Sequence, residues 1–164
     1  MGVVTYNYES TSPVAPARLF KAFSLEADKV WPKAAPQAVK SVEVEANPGP
    51  GSIVKINFAE VFICLGLPFQ YMKHQIGGHD DKNLSYSYSL IEGGPLGDKL
   101  EKISYDNKFE AAAGGGSLCK SSMKFYTVGD YVITEDEIKA QIKGSEGVYK
   151  AVEAYLLANP DACN

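Results

Sequence analysis

The stretch Leu84-Ser85-Tyr86-Ser87-Tyr88-Ser89-Leu90 alternates bulky and small polar residues without a break. A period of two marks a β-strand with one buried face. Leu84, Tyr86, Tyr88 and Leu90 share one side, and the serines share the other. Weaker alternation predicts strands over residues 2–10, 39–45 and 53–58, and again over about 99–110 and 117–128. Phe69, Tyr71 and Lys73 resume a strand between these. Turn residues punctuate the pattern: Ala46-Asn47-Pro48-Gly49-Pro50-Gly51, Gly77-Gly78-His79-Asp80-Asp81, Gly93-Gly94-Pro95-Leu96-Gly97 and Gly114-Gly115-Gly116.

Helical spacing enters at two places. Pro16 suits the first turn of a helix, with Leu19, Phe20 and Phe23 as its apolar stripe. A second short helix is predicted over 26–33, limited by Pro32 and Pro36. The long helix is C-terminal. Thr134 and Glu137 form a capping box, and Ile138, Ile142, Ser145, Val148, Val152 and Tyr155 recur at three- and four-residue spacing before Pro160. Gly144 and Gly147 interrupt it, each costing roughly 1 kcal/mol against Ala. Either these positions are exposed or crowded, or the helix flexes or leaves a void where it crosses the sheet.

Together the elements predict an α+β fold over 1–164, in one domain. A curved antiparallel sheet wraps a long C-terminal helix, with two short helices between the first and second strands. The inner face of the tyrosine strand then matters. Each buried phenol brings a hydroxyl that needs a partner. Those of Tyr86 and Tyr88 either reach solvent or backbone at a sheet edge, or face a wet or ligand-filled interior.

Charge and motifs exclude several functions. The formal charge is −4 and no Lys/Arg run forms a phosphate track, so no nucleic-acid partner is expected. Neither glycine-rich turn matches a phosphate loop or dinucleotide fingerprint, and no Gly-x-Ser-x-Gly elbow occurs. No Cys/His pair has metal-ligand spacing, so neither metal nor cofactor is expected. Cys64, Cys119 and Cys163 read as free thiols in a reducing compartment. The N-terminal residues lack the basic and apolar regions of a signal peptide, which points to the cytoplasm. The apolar run Val61-Phe62-Ile63-Cys64-Leu65-Gly66-Leu67 is too short to span a bilayer, and no transmembrane segment is expected.

The chain resembles the plant pathogenesis-related class 10 proteins, the family of the major birch-pollen allergen, over almost its whole length. Pro16-Ala17-Arg18-Leu19-Phe20-Lys21-Ala22-Phe23 and Lys33-Ala34-Ala35-Pro36-Gln37-Ala38 look like that family's N-terminal helical region. Gly93, Leu96, Glu101, Ser104, Gly114, Gly116, Ser117, Lys120 and Phe125 fit its signature. Ala151-Val152-Glu153-Ala154-Tyr155-Leu156-Leu157-Ala158 and Asp161-Ala162-Cys163-Asn164 resemble its C-terminus, with Cys163 where tyrosine is usual.

The resemblance implies a seven-stranded helix-grip fold of the START-like superfamily, with a large cavity between sheet and helix. It implies a defence- or stress-related carrier of small hydrophobic plant metabolites: flavonoids, cytokinins, sterol-like hormones or fatty acids. It also implies a cross-reactive allergen, with no catalytic residues assigned. The helices and first strands would contribute Phe23, Asp28, Val39, Phe58, Phe69 and Tyr71 to the lining. Tyr86, Tyr88, Ile103, Tyr105, Cys119 and Met123 would follow from the later strands, and Gln141, Gly144, Ser145 and Val148 from the long helix.

Enzymatic use of the same cavity is the alternative. A ribonuclease site in this family has been proposed on the glycine loop with Glu101, Glu153 and Tyr155. Here Ala46 and Pro48 replace loop glycines, and Val54 leaves only Lys55 of a basic pair. Condensing relatives use an inward lysine, whereas Lys102, Lys108, Lys120 and Lys124 share the outward parity. The run from Val61 to Leu67 is longer than the family's hairpin. It could hold a membrane, a partner or another copy of the chain, fold over the cavity mouth, or be a splicing remnant.

Overall fold

The structure is a computed structural model that describes residues 2–45, 51–64 and 67–164; for 61–64 and 67–68 it describes the backbone. Its elements run β1 (Gly2–Ser12), α1 (Pro16–Phe20), a π-helical turn (Lys21–Leu25), α2 (Ala27–Ala34) and β2 (Val39–Glu45). There follow β3 (Ile53–Cys64), β4 (Leu67–Asp80), β5 (Ser85–Gly93), a 3-10 turn (Gly94–Leu96), β6 (Leu100–Ala111), β7 (Ser117–Thr127) and α3 (Glu135–Ala158). The seven strands form one antiparallel sheet in the order β1-β7-β6-β5-β4-β3-β2. The long step from β1 to β2 carries the two short helices, which leaves β1 and β2 at opposite edges.

Strand β7 shows how the sequence writes this sheet. Ser117, Cys119, Ser121, Met123, Phe125 and Thr127 are buried, and the residues between them are not. On β6, Ile103 and Phe109 point inward while Lys102 and Lys108 do not, so one face of the sheet meets α3.

Helix α3 starts at the predicted cap. The Thr134 hydroxyl accepts from the Glu137 N–H at 3.2 Å, and the Glu137 carboxylate accepts from the Thr134 N–H at 3.3 Å. The helix is anchored near its two ends. Ile138 and Ile142 pack with Leu90, Ile103, Met123 and Phe125. Val152 and Leu156 pack with Leu19, Phe20, Val30 and Phe109. Between the anchors, Gly144, Ser145, Glu146 and Gly147 are exposed. A Cβ added at either glycine would meet nothing within 4 Å, so these positions are not crowded. Ser145 therefore falls out of the predicted buried stripe, and Leu156 belongs to it.

Two turn readings are corrected. Residues Gly77 to Asp80 belong to β4 rather than to a turn, because the register shift between Ile76 and Gly78 absorbs Gly77 as a bulge. The turn lies further on. The Asp80 carboxylate accepts from the N–H of Lys82 and Asn83 and from the Asn83 amide. Leu84 closes this turn at φ 52°, so β5 begins at Ser85 and not at Leu84. Strand β3 also runs past its predicted end at Phe58, pairing as far as Cys64 with Leu67. The loop in which Ala46 and Pro48 replace glycines falls outside the described residues. The role of the apolar run from Val61 to Leu67 turns on side chains that also fall outside them.

Candidate ligand site between sheet and helix

Tyrosines line the inner face of β5 and β6. Tyr88 stands directly opposite Tyr105 across the strands, with ring centroids 4.6 Å apart and planes 15° from parallel. Tyr86 stacks on Tyr88 at 5.9 Å and on Phe109 at 6.1 Å, and its edge meets Phe20 at 6.2 Å. Burial pushes the phenols of Tyr86 and Tyr88 well above their usual range, so both are neutral donors at physiological pH. Their side chains nevertheless keep accessible surface. A residue enclosed by protein yet still accessible borders a space that no side chain fills. From the helix, Gln141 Nε2 donates to the Tyr105 hydroxyl at 3.1 Å and bridges α3 to the sheet.

Smaller polar groups continue this wall toward β1. The Ser121 hydroxyl donates to Asn107 Oδ1 at 2.6 Å, and Cys119 Sγ lies 3.7 Å from the Ser121 hydroxyl. Burial raises the Cys119 thiol above its ordinary value, so it is a neutral thiol rather than a nucleophile. Burial also raises the phenol of Tyr8 on β1.

On the other side, His74 of β4 is only 8% exposed, and its ring lies 4.6 Å from that of Tyr88. Burial lowers its pKa to about 4, which keeps the imidazole uncharged.

The short helices close one end. The ring of Phe23 packs against Trp31 at 6.1 Å, Phe109 at 6.2 Å and Tyr149 at 5.2 Å. Among the described residues, three side-chain polar atoms are buried without a hydrogen-bond partner: Trp31 Nε1, the Tyr149 hydroxyl and Glu153 Oε2. The Ser10 and Ser12 side chains act to lower the Tyr149 pKa. Desolvation wins, and the Tyr149 phenol is pushed up to about 12.

The structure brings most of the predicted lining residues to this interior. Val39 and Phe58 are buried together, with Phe69 against Phe58 at 5.5 Å, and Val148 packs there from the helix. Ile103, Met123 and Cys119 are buried on the inner face, and Phe23 joins from the helical end. Asp28, in the first turn of α2, is half-buried. Gly144 and Ser145 sit on the exposed middle of α3, where the Ser145 hydroxyl donates to the Ile142 carbonyl at 2.8 Å.

Tyr71 is a correction: it lies on the outer face. It pairs with Asn57, its hydroxyl donates to Glu92 at 3.0 Å, and Lys55 Nζ sits 5.1 Å above its ring. Irregular pairing between Asn57 and Phe62 breaks the alternation that put Phe69 and Tyr71 on one side, and Met72 takes the inward place. The sequence reading missed His74, Tyr8, Trp31 and Tyr149. Tyr8 carried a usable signal, since Tyr6 and Tyr8 alternate with polar residues in β1.

Glu101 is exposed on β6, and Glu153 is half-buried on α3. The lysines tested for inward parity lie outside. Lys102 covers the Tyr126 ring at 4.6 Å, Lys108 and Lys120 pair with Glu110, and Lys124 is exposed.

Residues 1–159 match the profile of the Pathogenesis-related protein Bet v 1 family. The chain is 52% identical over 160 residues to pathogenesis-related protein STH-2 of Solanum tuberosum, covering 98% of this chain and 97% of that protein. It is 49% identical over 165 residues to major allergen Pru ar 1 of Prunus armeniaca, covering both completely. Its structure matches that of Ara h 8.0201 at a TM-score of 0.80 and 40% identity, over 96% of this chain and 100% of that one. Norcoclaurine synthase from Thalictrum flavum shares the fold at a TM-score of 0.68, with 16% identity over 98% of both chains. A match along almost the whole length, with relatives near half identity, has one reading: this chain belongs to the pathogenesis-related Bet v 1 family.

Proposed function

We propose that this protein is a cytoplasmic carrier of small hydrophobic or amphipathic plant metabolites, held between the sheet and α3. The observation that carries the proposal is the state of Tyr86 and Tyr88, enclosed by protein yet still accessible. Apolar walls with a few hydroxyls suit ligands that are mostly ring or chain with one or two polar groups. The walls supply affinity at about 25 cal/mol per Å² of apolar surface removed from water. The phenols of Tyr86, Tyr88 and Tyr105 orient the ligand's polar group. No helix among the described residues is long and apolar enough to cross a membrane. Relatives named as allergens make cross-recognition of this chain by antibodies against them the expected outcome.

The enzymatic alternative is disfavoured. An enzyme would require a convergent acid–base pair, and the outward strand lysines argue against one. The relatives near half identity carry pathogenesis-related and allergen names.

The test is a titration with a neutral solvatochromic dye, displaced by a flavonoid, a cytokinin and a sterol. A Tyr86→Ala/Tyr88→Ala variant is measured beside the parent chain. Saturable displacement at micromolar ligand, weakened in the variant, supports the carrier. Absence of dye uptake by a folded protein would sink it.

A further inference from the structure

The two edges of the sheet differ. Strand β2 is guarded: its seven residues include Lys40, Glu43 and Glu45, and a register shift between Val39 and Ser41 breaks its line. Charges and bulges on an edge strand discourage pairing with another chain. Strand β1 has neither device. It runs eleven residues from Gly2 to Ser12 without proline or lysine, and Glu9 is its one charged residue. It follows β7 over its whole length without a register shift. Among the described residues its backbone makes hydrogen bonds to β7 alone. Alternate N–H and C=O groups along the other side of β1 are therefore left for a further strand. Val3, 54% exposed, adds apolar surface to that edge.

The strand that fits this edge is a second β1. An antiparallel copy centred on Asn7 overlaps all eleven residues, with Tyr8 opposite the copy's Tyr6 and Glu9 opposite the copy's Thr5. Paired residues then share parity, so the inner and outer faces of the two sheets run on into each other. On the outer face of one chain, Thr5 stands opposite Lys124 and Glu9 opposite Lys120. Across the join the row reads Lys120, Glu9, the copy's Thr5, the copy's Lys124. Each glutamate lies between two lysines, and the two glutamates stay apart. The inner face matches too. From α3, the Glu146 charge acts on Tyr8, and Lys139 interacts electrostatically with Tyr6. Setting Tyr8 against the copy's Tyr6 turns Glu146 of each chain toward Lys139 of the other. The register that uses the whole strand thus pairs opposite charges on both faces.

We infer that β1 is a self-association surface, on which a second copy of this chain pairs antiparallel about Asn7 and joins two seven-stranded sheets into one. A single ladder is smaller than a standard protein interface, so the dimer is weak and forms at high protein concentration.

The experiment is sedimentation equilibrium on the parent chain from about 10 μM to 1 mM, across which monomer should pass to dimer. Glu9→Lys sets a lysine between two lysines and should weaken the dimer about tenfold or more. Thr5→Glu faces the copy's Glu9 and should weaken it about fivefold, whereas Thr5→Lys should tighten it by about the same factor. Thr5 and Glu9 are both exposed, so the melting temperatures of dilute variants should stay near the parent value and show that each one folds. A parent chain that stays monomeric over this range overturns the inference. So does a dimer that none of the variants moves, or one that Thr5→Lys and Thr5→Glu move alike, since it would be built on another surface.

Discussion

The guanidinium of Arg18 holds the carbonyl of Ala162 with two of its nitrogens, Nε at 3.1 Å and Nη2 at 3.0 Å, across 144 residues of sequence. The same Nη2 reaches the carbonyls of Leu156 at 2.9 Å and Asn159 at 2.8 Å. These carbonyls end α3, where helix geometry leaves them without partners and the macrodipole favours a cation. Arg18→Ala should destabilise the protein by about 2–3 kcal/mol in urea unfolding. Arg18→Lys should recover less than half, because an ammonium cannot reproduce the planar fork. Amide exchange near Leu156 and Asn159 should accelerate in both variants, and unchanged exchange would refute the clamp.

His74 predicts a pH dependence. Its pKa is about 4 in the fold against 6.5 as the ordinary value. Between those values the unfolded chain binds a proton that the native chain refuses, so stability rises with pH through this window and is lost on acidification. The difference corresponds to about 3 kcal/mol. Stability measured from pH 7 to pH 4 should fall more steeply in the parent chain than in His74→Leu. Parallel curves would show that the imidazole is not held neutral.

The bare middle of α3 predicts a gain. Gly147→Ala meets nothing within 4 Å and should stabilise the protein by about 0.5–1 kcal/mol. A lower melting temperature in that variant would mean that the position is closed.

Gly116 predicts the opposite. It sits at φ +77°, and an added Cβ would clash with the Ser12 carbonyl oxygen. Beside it, the Ser117 hydroxyl donates to the Val14 carbonyl at 2.5 Å, so the chain after β1 cannot move away freely. Gly116→Ala should cost more than about 2 kcal/mol, measured by denaturant unfolding. A loss under 1 kcal/mol, a level typical of surface sites, would show that this approach relaxes.

The legible parts of the fold were those written in local pattern. The tyrosine alternation placed Tyr86 and Tyr88 inward, and Thr134 with Glu137 located the start of α3. Bulges were not legible, because a bulge is one extra residue with no composition of its own. Tyr71 changed faces beside one, and Gly77 to Asp80 moved from turn to strand beside another. Long-range partners were hidden as well. Nothing near Arg18 in sequence announces the carbonyls of Leu156 and Ala162. Burial of His74 depends on which way β4 faces, and the grouping of Trp31 with Tyr149 depends on how α2 meets α3.

The alternation in β5 also bears on how the chain avoids misfolding. Slipping β5 by one residue against its neighbours would turn Tyr86, Tyr88 and Leu90 to the outside and bring Ser87 and Ser89 into the core. Such a slip forfeits both the ring contacts with Tyr105 and Phe109 and the outer Ser89–Ser104 hydroxyl pair. The two register shifts with β4 fix the pairing from the other side. The strand that carries the phenols is thus penalised on both faces for mispairing, and a folding error there is costly enough to correct itself.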